Sequence, residues 1–359
     1  MENIKFDVCW ITINRSCNLR CSFCYASNTL ESSKTMFFKD ALKIVDFCHE
    51  ANVEKIILIG GEPTLYCDVF DLIKYAKVKN IKVSIVTNGV KLSSLEYCKS
   101  LIESGIDEIG ISLKGNDKND FKYVTGKDMF VKVIDGMKNL KSLSYPFSCS
   151  MVITKSNLFT FLNGVKVAFK NGCNGISLSF AYDFCTSKEK DENYLIKNNP
   201  YYFIRAFVSQ IDKLNKISNE RWSFESGYPL CVFNDRQIKK FGGHLVTTCQ
   251  LLNRNGIIFD TELCVLPCNT MHLIKMGKLG VDFESYDEFC HYVKEGLYKQ
   301  VMSYITSLPS EDCKECPKLQ NCGGGCVCFW TNTSFDKLKE KKDFLIKRAI
   351  EEVLDDSQD

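Results

Sequence analysis

Six short apolar runs recur through the first half of the chain, with a helical stretch between each pair, and this alternation limits the fold more than any other feature. The runs cover residues 8–13, 55–59, 82–86, 108–113, 148–154 and 175–180. Residues 39–50 carry Leu42, Val45 and Phe47 at helical spacing, and helical stretches also fall at 69–79, 95–104, 130–140 and 158–170. Gly105 follows the third helix as a C-terminal cap. Apolar strands joined by helices make a parallel sheet with right-handed crossovers. Six units are too few to close an eight-stranded barrel. The expected fold is therefore α/β, a partial (β/α)6 barrel with an open side that admits a large substrate.

In such sheets the chemistry sits at the C-terminal ends of the strands. The short motifs of this chain fall there. Cys17, Cys21 and Cys24 follow the first run, Gly60-Gly61-Glu62-Pro63 the second, and Asn88-Gly89 the third, while Ser112 ends the fourth. Three thiolates spaced Cys-x3-Cys-x2-Cys can hold three irons of a [4Fe-4S] cluster, which leaves the fourth iron without a protein ligand. Zinc is the competing reading, but a structural zinc site wants four N/S ligands, and the nearest histidine, His49, falls in a predicted helix. The four histidines, His49, His244, His272 and His291, form no evident ligand set.

Composition narrows the classes further. The 359-residue chain has a net charge of +2, which gives no electrostatic case for nucleic acid or an anionic membrane. It has no apolar run near the roughly 18 residues of a membrane-spanning helix, and residues 1–5 do not begin a secretory signal. A cytosolic protein is expected. Twenty cysteines then point to metal ligands and small core residues rather than disulfides. Cys9, Cys48, Cys67, Cys98, Cys149, Cys173 and Cys290 are expected in the core.

The cysteine triplet, followed by Tyr25 and combined with Gly60-Gly61-Glu62-Pro63, resembles the radical S-adenosylmethionine (radical SAM) enzymes. The resemblance implies that Cys17, Cys21 and Cys24 ligate the cluster and that Tyr25 lies by the adenine of SAM. It implies that the backbone of Gly60, Gly61, Glu62 and Pro63 receives the SAM amino group, with Ser112 and Asn88 helping to hold the cofactor. In that family one electron splits the sulfonium, and the 5′-deoxyadenosyl radical takes a hydrogen atom from the substrate. Many relatives read Ser-Leu-Asp-Gly where this chain has Ser112-Leu113-Lys114-Gly115, so no role carries over to Lys114.

A second cysteine group lies downstream. Cys313-x2-Cys316-x5-Cys322-x3-Cys326 has the spacing of the SPASM domain, a small module that carries auxiliary clusters in peptide-acting radical SAM enzymes, and Cys249 and Cys268 resemble its upstream pair. The resemblance implies two auxiliary [4Fe-4S] clusters. Cys249, Cys268 and Cys326 go to the first, and Cys313, Cys316 and Cys322 to the second, with Cys328 completing the second because no cysteine follows it. The fourth ligand of the first is Cys231, Cys264 or an open iron. An extended segment would put Cys264 about 13 Å from Cys268, which favours Cys231 or the open iron. Where the family has glycine five residues before Cys268 this chain has Leu263, so a shifted hairpin turn is expected. A zinc ribbon competes for the Cys313 to Cys326 run.

The expected organisation is a barrel over residues 1–200, a bridging region over 201–245, the SPASM domain over 246–330 and an amphipathic C-terminal helix over 331–359. The aromatic bridging stretch has no motif and reads as a packed linker, with the lining of a substrate groove as the alternative. The expected function is a peptide maturase that makes a thioether or carbon–carbon crosslink or an epimerised residue, Cys185 after the sixth strand being a hydrogen donor for the last. Its partners would be a ribosomal precursor peptide and an electron donor such as flavodoxin or ferredoxin. Only residues 1–16 precede Cys17, so leader recognition would fall to a separate binding protein or to the core itself. Maturation of a sulfatase by formylglycine formation, and a zinc-binding interaction module, are the alternatives.

Overall fold

The computed structural model describes residues 5–30, 34–181, 200–225, 227–247 and 249–330. Cys185 and the expected C-terminal helix lie outside the described residues.

The expected strands form in place: β1 (Val8–Thr12), β2 (Lys55–Ile59), β3 (Lys82–Thr87), β4 (Glu108–Ser112), β5 (Phe147–Ile153) and β6 (Ile176–Phe180). Between them run α1 (Phe38–Glu50), α2 (Val69–Val78), α3 (Leu95–Glu103), α4 (Lys118–Thr125), α5 (Phe130–Ser142) and α6 (Phe161–Lys170). Each helix buries one stripe, as in α1, where Ala41, Ile44, Val45, Phe47 and Cys48 face the sheet. Gly105 takes φ +91° just beyond α3, the left-handed conformation of a helix C-cap. Helix α4 escaped the sequence reading because Lys118 to Thr125 is polar, with Phe121 and Val124 as its buried hydrophobics.

The sheet is wider than the six strands expected. It has nine, all parallel, in the order β8-β7-β6-β5-β4-β3-β2-β1-β9, and its two edge strands do not pair with each other. The bridging stretch supplies β7 (Trp222–Glu225) and β8 (Leu245–Val246), with helix α7 (Pro200–Val208) and helix α8 (Ile211–Ser218) before them. Its aromatics are core, since Phe203, Phe207, Trp222, Phe224 and Tyr228 are buried. Phe207 stacks on Phe161 and Phe241 at 5.4 and 5.7 Å. On the other side β9 (Gly256–Phe259) pairs with β1, Val8 opposite Gly256 and Ile11 opposite Phe259, so the cysteine-rich region grows directly out of the sheet. Strands this short carry too little pattern to stand out in a sequence.

The strands alternate between a face buried under helices and a concave face. On the concave face Ser112, Ser150, Ser177 and Ser223 stand opposite one another across four adjacent strands. The concave wall of β4 to β7 is thus a row of hydroxyls. Among the described residues no helix is long and apolar enough to cross a membrane.

Candidate functional site

The cysteine loop leaves β1 and is fixed by backbone on two sides. On one side Gly61 N–H donates to Asn14 O (2.9 Å) and Glu62 N–H to Ser16 O (2.7 Å). On the other, Arg20 N–H donates to Thr125 O and Ser22 N–H to Val124 O, both at 2.9 Å, at the end of α4. Gly60 and Gly61 are glycine because the loop lies against them. A Cβ on Gly60 would sit 2.6 Å from Asn14 Oδ1, and one on Gly61 2.3 Å from Ser16 O.

Glu62 is buried at 1% exposure, and its carboxylate accepts four hydrogen bonds: Thr64 N (3.2 Å), Thr64 Oγ1 (2.6 Å), Thr87 Oγ1 (2.5 Å) and Asn88 N (2.7 Å). Burial lifts its pKa above the usual carboxylate range against the pull of those donors. The side chain thus ties the second strand end to the third. Asn88 Nδ2 donates to Asn18 Oδ1 (2.7 Å), which brings the third strand end to the cysteine loop.

These pieces surround a cavity of about 430 Å3 at the C-terminal ends of the strands. Cys17, Cys21, Cys24, Tyr25, Gly60, Gly61, Glu62, Asn88 and Ser112 all line it, while Pro63 is buried at the start of the Pro63–Leu65 turn behind them. Burial pushes the Cys21 thiol up to about 11 and raises those of Cys17 and Cys24. The Lys114 ammonium pulls all three back down. Lys114 lines the cavity, donates to Ser112 Oγ (2.6 Å) and lies over the Phe23 ring. In the sequence it had no role, because a lysine stands where many relatives have aspartate; its neighbours in space place it at the site. Ser179 and Glu225 also line the cavity and escaped the sequence reading, Glu225 accepting from Ser177 Oγ at 2.7 Å. Their signal was the alternation of serine along β5 to β7.

Cys268 opens onto this same cavity, with Asn269 and Thr270 beside it. It is the bridge to the downstream cysteines. The Thr270 hydroxyl lies 3.3 Å from Cys268 Sγ and 3.4 Å from Cys328 Sγ, Cys249 acts electrostatically on the Cys268 thiol, and Cys326 packs on the same small cluster. The grouping expected for the last ligand is therefore reversed: Cys328 lies with Cys268, whereas Cys231 shares a second cavity with Cys313, Cys316 and Cys322. Gly323, Gly324 and Gly325 all take positive φ and turn the chain between Cys322 and Cys326, which separates the two groups.

Two further expectations change. The hairpin turn before Cys268 is not shifted: Leu263 itself takes φ +64°, where glycine would be at ease, and the Asp260 carboxylate accepts from Glu262 N (2.8 Å) and Cys264 N (2.9 Å) across the turn. Cys67 is exposed rather than in the core, since it precedes α2 in a surface loop beside Asp68. Cys9, Cys48, Cys98, Cys149, Cys173 and Cys290 are buried as expected, and none of the described cysteines is in a disulfide.

The cysteine groups are too wide for one zinc ion each. Tetrahedral zinc with sulfur at about 2.3 Å brings its ligands within about 4 Å of one another. Among the described residues only Asp260, Glu262 and Cys264 place three ligand atoms within 4.8 Å, and there the Lys275 ammonium pairs with both carboxylates. An iron–sulfur cluster, whose thiolates bind different corners, fits the wider cysteine groups.

Residues 11–163 match the model of the radical SAM superfamily. The chain carries a radical SAM domain. The motifs at the strand ends, from Cys17 to Ser112, all fall within the matched segment. A probable GTP 3′,8-cyclase of Pyrococcus abyssi is 32% identical over 145 residues, 40% of this chain and 47% of that protein. The chain spans about half the length of the curated relatives it matches. Two solved structures share the fold much more fully. Native anSMEcpe with bound AdoMet and a Cp18Cys peptide has a TM-score of 0.69 at 18% identity, covering 96% of this chain and 98% of that one. Streptococcus suis SuiB bound to precursor peptide SuiA has a TM-score of 0.69 at 18% identity, covering 90% of this chain and 72% of that one.

Proposed function

We propose that this chain is a radical SAM peptide maturase that oxidises a side chain or α carbon of a peptide, most readily to a crosslink. The observation that carries the reading is that the Cys17, Cys21 and Cys24 thiols and Cys268 open onto one cavity. When bound, SAM and a [4Fe-4S] cluster supply one-electron cleavage of the sulfonium and abstraction of a substrate hydrogen atom. Cys17, Cys21 and Cys24 would hold that cluster. The backbone at Gly60, Gly61 and Glu62, with Asn88, Ser112 and Tyr25, would hold SAM. Lys114 places a positive charge beside the thiols. A crosslink removes two hydrogens: one leaves as an atom, the other as a proton and an electron. Cys268, with Cys249, Cys326 and Cys328 behind it, would hold an auxiliary cluster, which would accept that electron beside the same cavity. The serine row across β4 to β7 offers hydroxyls to peptide amides and carbonyls.

The fold shared with the peptide-bound structures extends through the cysteine-rich region, which supports a peptide as the substrate. None of the described cysteines is in a disulfide, which suits a reducing compartment such as the cytosol, where flavodoxin or ferredoxin would supply the electron. Anaerobic incubation of the reconstituted protein with SAM, reductant and candidate precursor peptides tests the reading by mass spectrometry. Loss of two hydrogens with a new crosslink supports it. An aldehyde on serine or cysteine would instead mean formylglycine formation, and turnover of GTP with no change in any peptide would overturn it.

A further inference from the structure

A second cavity, of about 290 Å3, is walled by Cys231, Cys313, Cys316, Cys322, Leu230 and Trp330. Its cysteines come from separate pieces of chain: the Leu230–Val232 turn that follows β7, the segment from Cys313 to Cys316, and the end of the short helix Leu319–Cys322. Cys231 stands far upstream of the other three, and only the fold brings it to them.

The segment carrying Cys231 is docked on the turn between Cys322 and Cys326 at several points. Gly227 O accepts from Cys326 N (3.0 Å), and Leu230 N–H donates to Cys322 Sγ (3.2 Å). The Tyr228 ring meets Phe329 edge-on at 5.4 Å. Pro229 fills the space over Gly325, where a Cβ would lie 2.9 Å from Pro229 Cα and where φ is +80°. Trp330 Nε1 donates to Gly324 O (2.7 Å) and closes the turn from the other side. The segment is therefore held at the cavity by the contacts of Gly227, Tyr228, Pro229 and Leu230, which bring Cys231 to it. A backbone N–H aimed at a cysteine sulfur is also the kind of hydrogen bond that stabilises a cluster thiolate.

We propose that Cys231 ligates an iron–sulfur cluster together with Cys313, Cys316 and Cys322, and that Cys328 belongs with Cys249, Cys268 and Cys326. This rests on reading the C-terminal cysteines as cluster ligands. It also ties the second auxiliary cluster to the active-site wall, because Cys231 lies six positions beyond Glu225, the β7 residue that lines the catalytic cavity.

The test uses the full chain with Cys17→Ala, Cys21→Ala and Cys24→Ala, so that only the auxiliary sites load. Reconstituted anaerobically with iron and sulfide, this parent should hold two [4Fe-4S] clusters, about eight irons, read by iron analysis and Mössbauer spectroscopy. Adding Cys231→Ala should remove one cluster or convert it to a [3Fe-4S] form with its own EPR signal. Cys322→Ala should affect the same cluster, so the Cys231/Cys322 double variant loses no more than one. The Cys231/Cys268 double variant should lose both, and the Cys328/Cys268 pair only one. Cys231→Ala in the otherwise unaltered chain should keep the SAM-perturbed EPR signal of the first cluster, which separates ligand loss from misfolding. A parent with two clusters that Cys231→Ala leaves unchanged overturns this assignment alone. A parent that takes up zinc and no iron overturns it together with the electron exit invoked in the proposed function.

Discussion

Lys114 shows how one side chain can matter through space alone. Its ammonium lies by three thiols and a serine hydroxyl on the cavity wall. If it holds an anionic group of SAM, losing a charge-assisted hydrogen bond of about 1.5–3 kcal/mol weakens SAM binding about tenfold or more. Lys114→Met should do this by equilibrium dialysis, and removal of the positive charge should make the first cluster harder to reduce. Glu62→Gln should leave at least one of the four buried donors without an acceptor, costing about 1–3 kcal/mol in urea unfolding. The pH dependence has a defined sign. A folded-state pKa raised above the unfolded value means the folded protein holds the proton more tightly, so this carboxyl's contribution is full below about pH 4.3 and declines as pH rises through the raised value. The stability gap between wild type and Glu62→Gln should therefore be wider at pH 5 than at pH 7.5, and an equal gap would contradict the burial argument. Leu263 opposes two effects. Glycine would relieve about 1 kcal/mol of left-handed strain but forfeit about 2 kcal/mol of side-chain burial, so Leu263→Gly should lower the melting temperature modestly.

At the level of elements, α4 decides whether the cysteine loop is preorganised. Its end carries the carbonyls of Val124 and Thr125 that fix Ser22 and Arg20. Its start is packed on Gly115, where a Cβ would lie 2.5 Å from Phe121 N. Gly115→Ala should push α4 off its seat, reduce iron loading at Cys17, Cys21 and Cys24, and spare the auxiliary cysteines. Iron counts on this variant, with and without the triad cysteines, read the difference. Equal loss at all sites would mean general unfolding instead. The glycine in the Ser112-Leu113-Lys114-Gly115 stretch is thus explained by helix packing, and Ser112 and Lys114 by the cavity.

Across the whole molecule, the parallel sheet is continuous from β8 to β9, so the barrel and the cysteine-rich region share one hydrogen-bonded framework. Trp10 Nε1 donates to Gln250 Oε1 (2.5 Å), next to Cys249, which joins β1 to the first auxiliary group by side chains as well. A chain cut after Val246 would lose β9 and expose the β1 edge with its apolar residues. It should aggregate on size-exclusion chromatography, whereas two independent domains would give a monodisperse fragment. The sequence by itself determined the local facts: which runs are strands, which helices bury a stripe, and that cysteine triplet and glycine motif fall at strand ends, because periodicity and spacing are properties of neighbours along the chain. It could not show that Leu263 would accept φ +64°, that Glu225 would face the triad, or that Cys231 rather than Cys328 would meet Cys313, Cys316 and Cys322. Those depend on contacts between residues tens to hundreds of positions apart. Only the folding of β7 beside β6, and the packing of Pro229 on Gly325, brings those residues together.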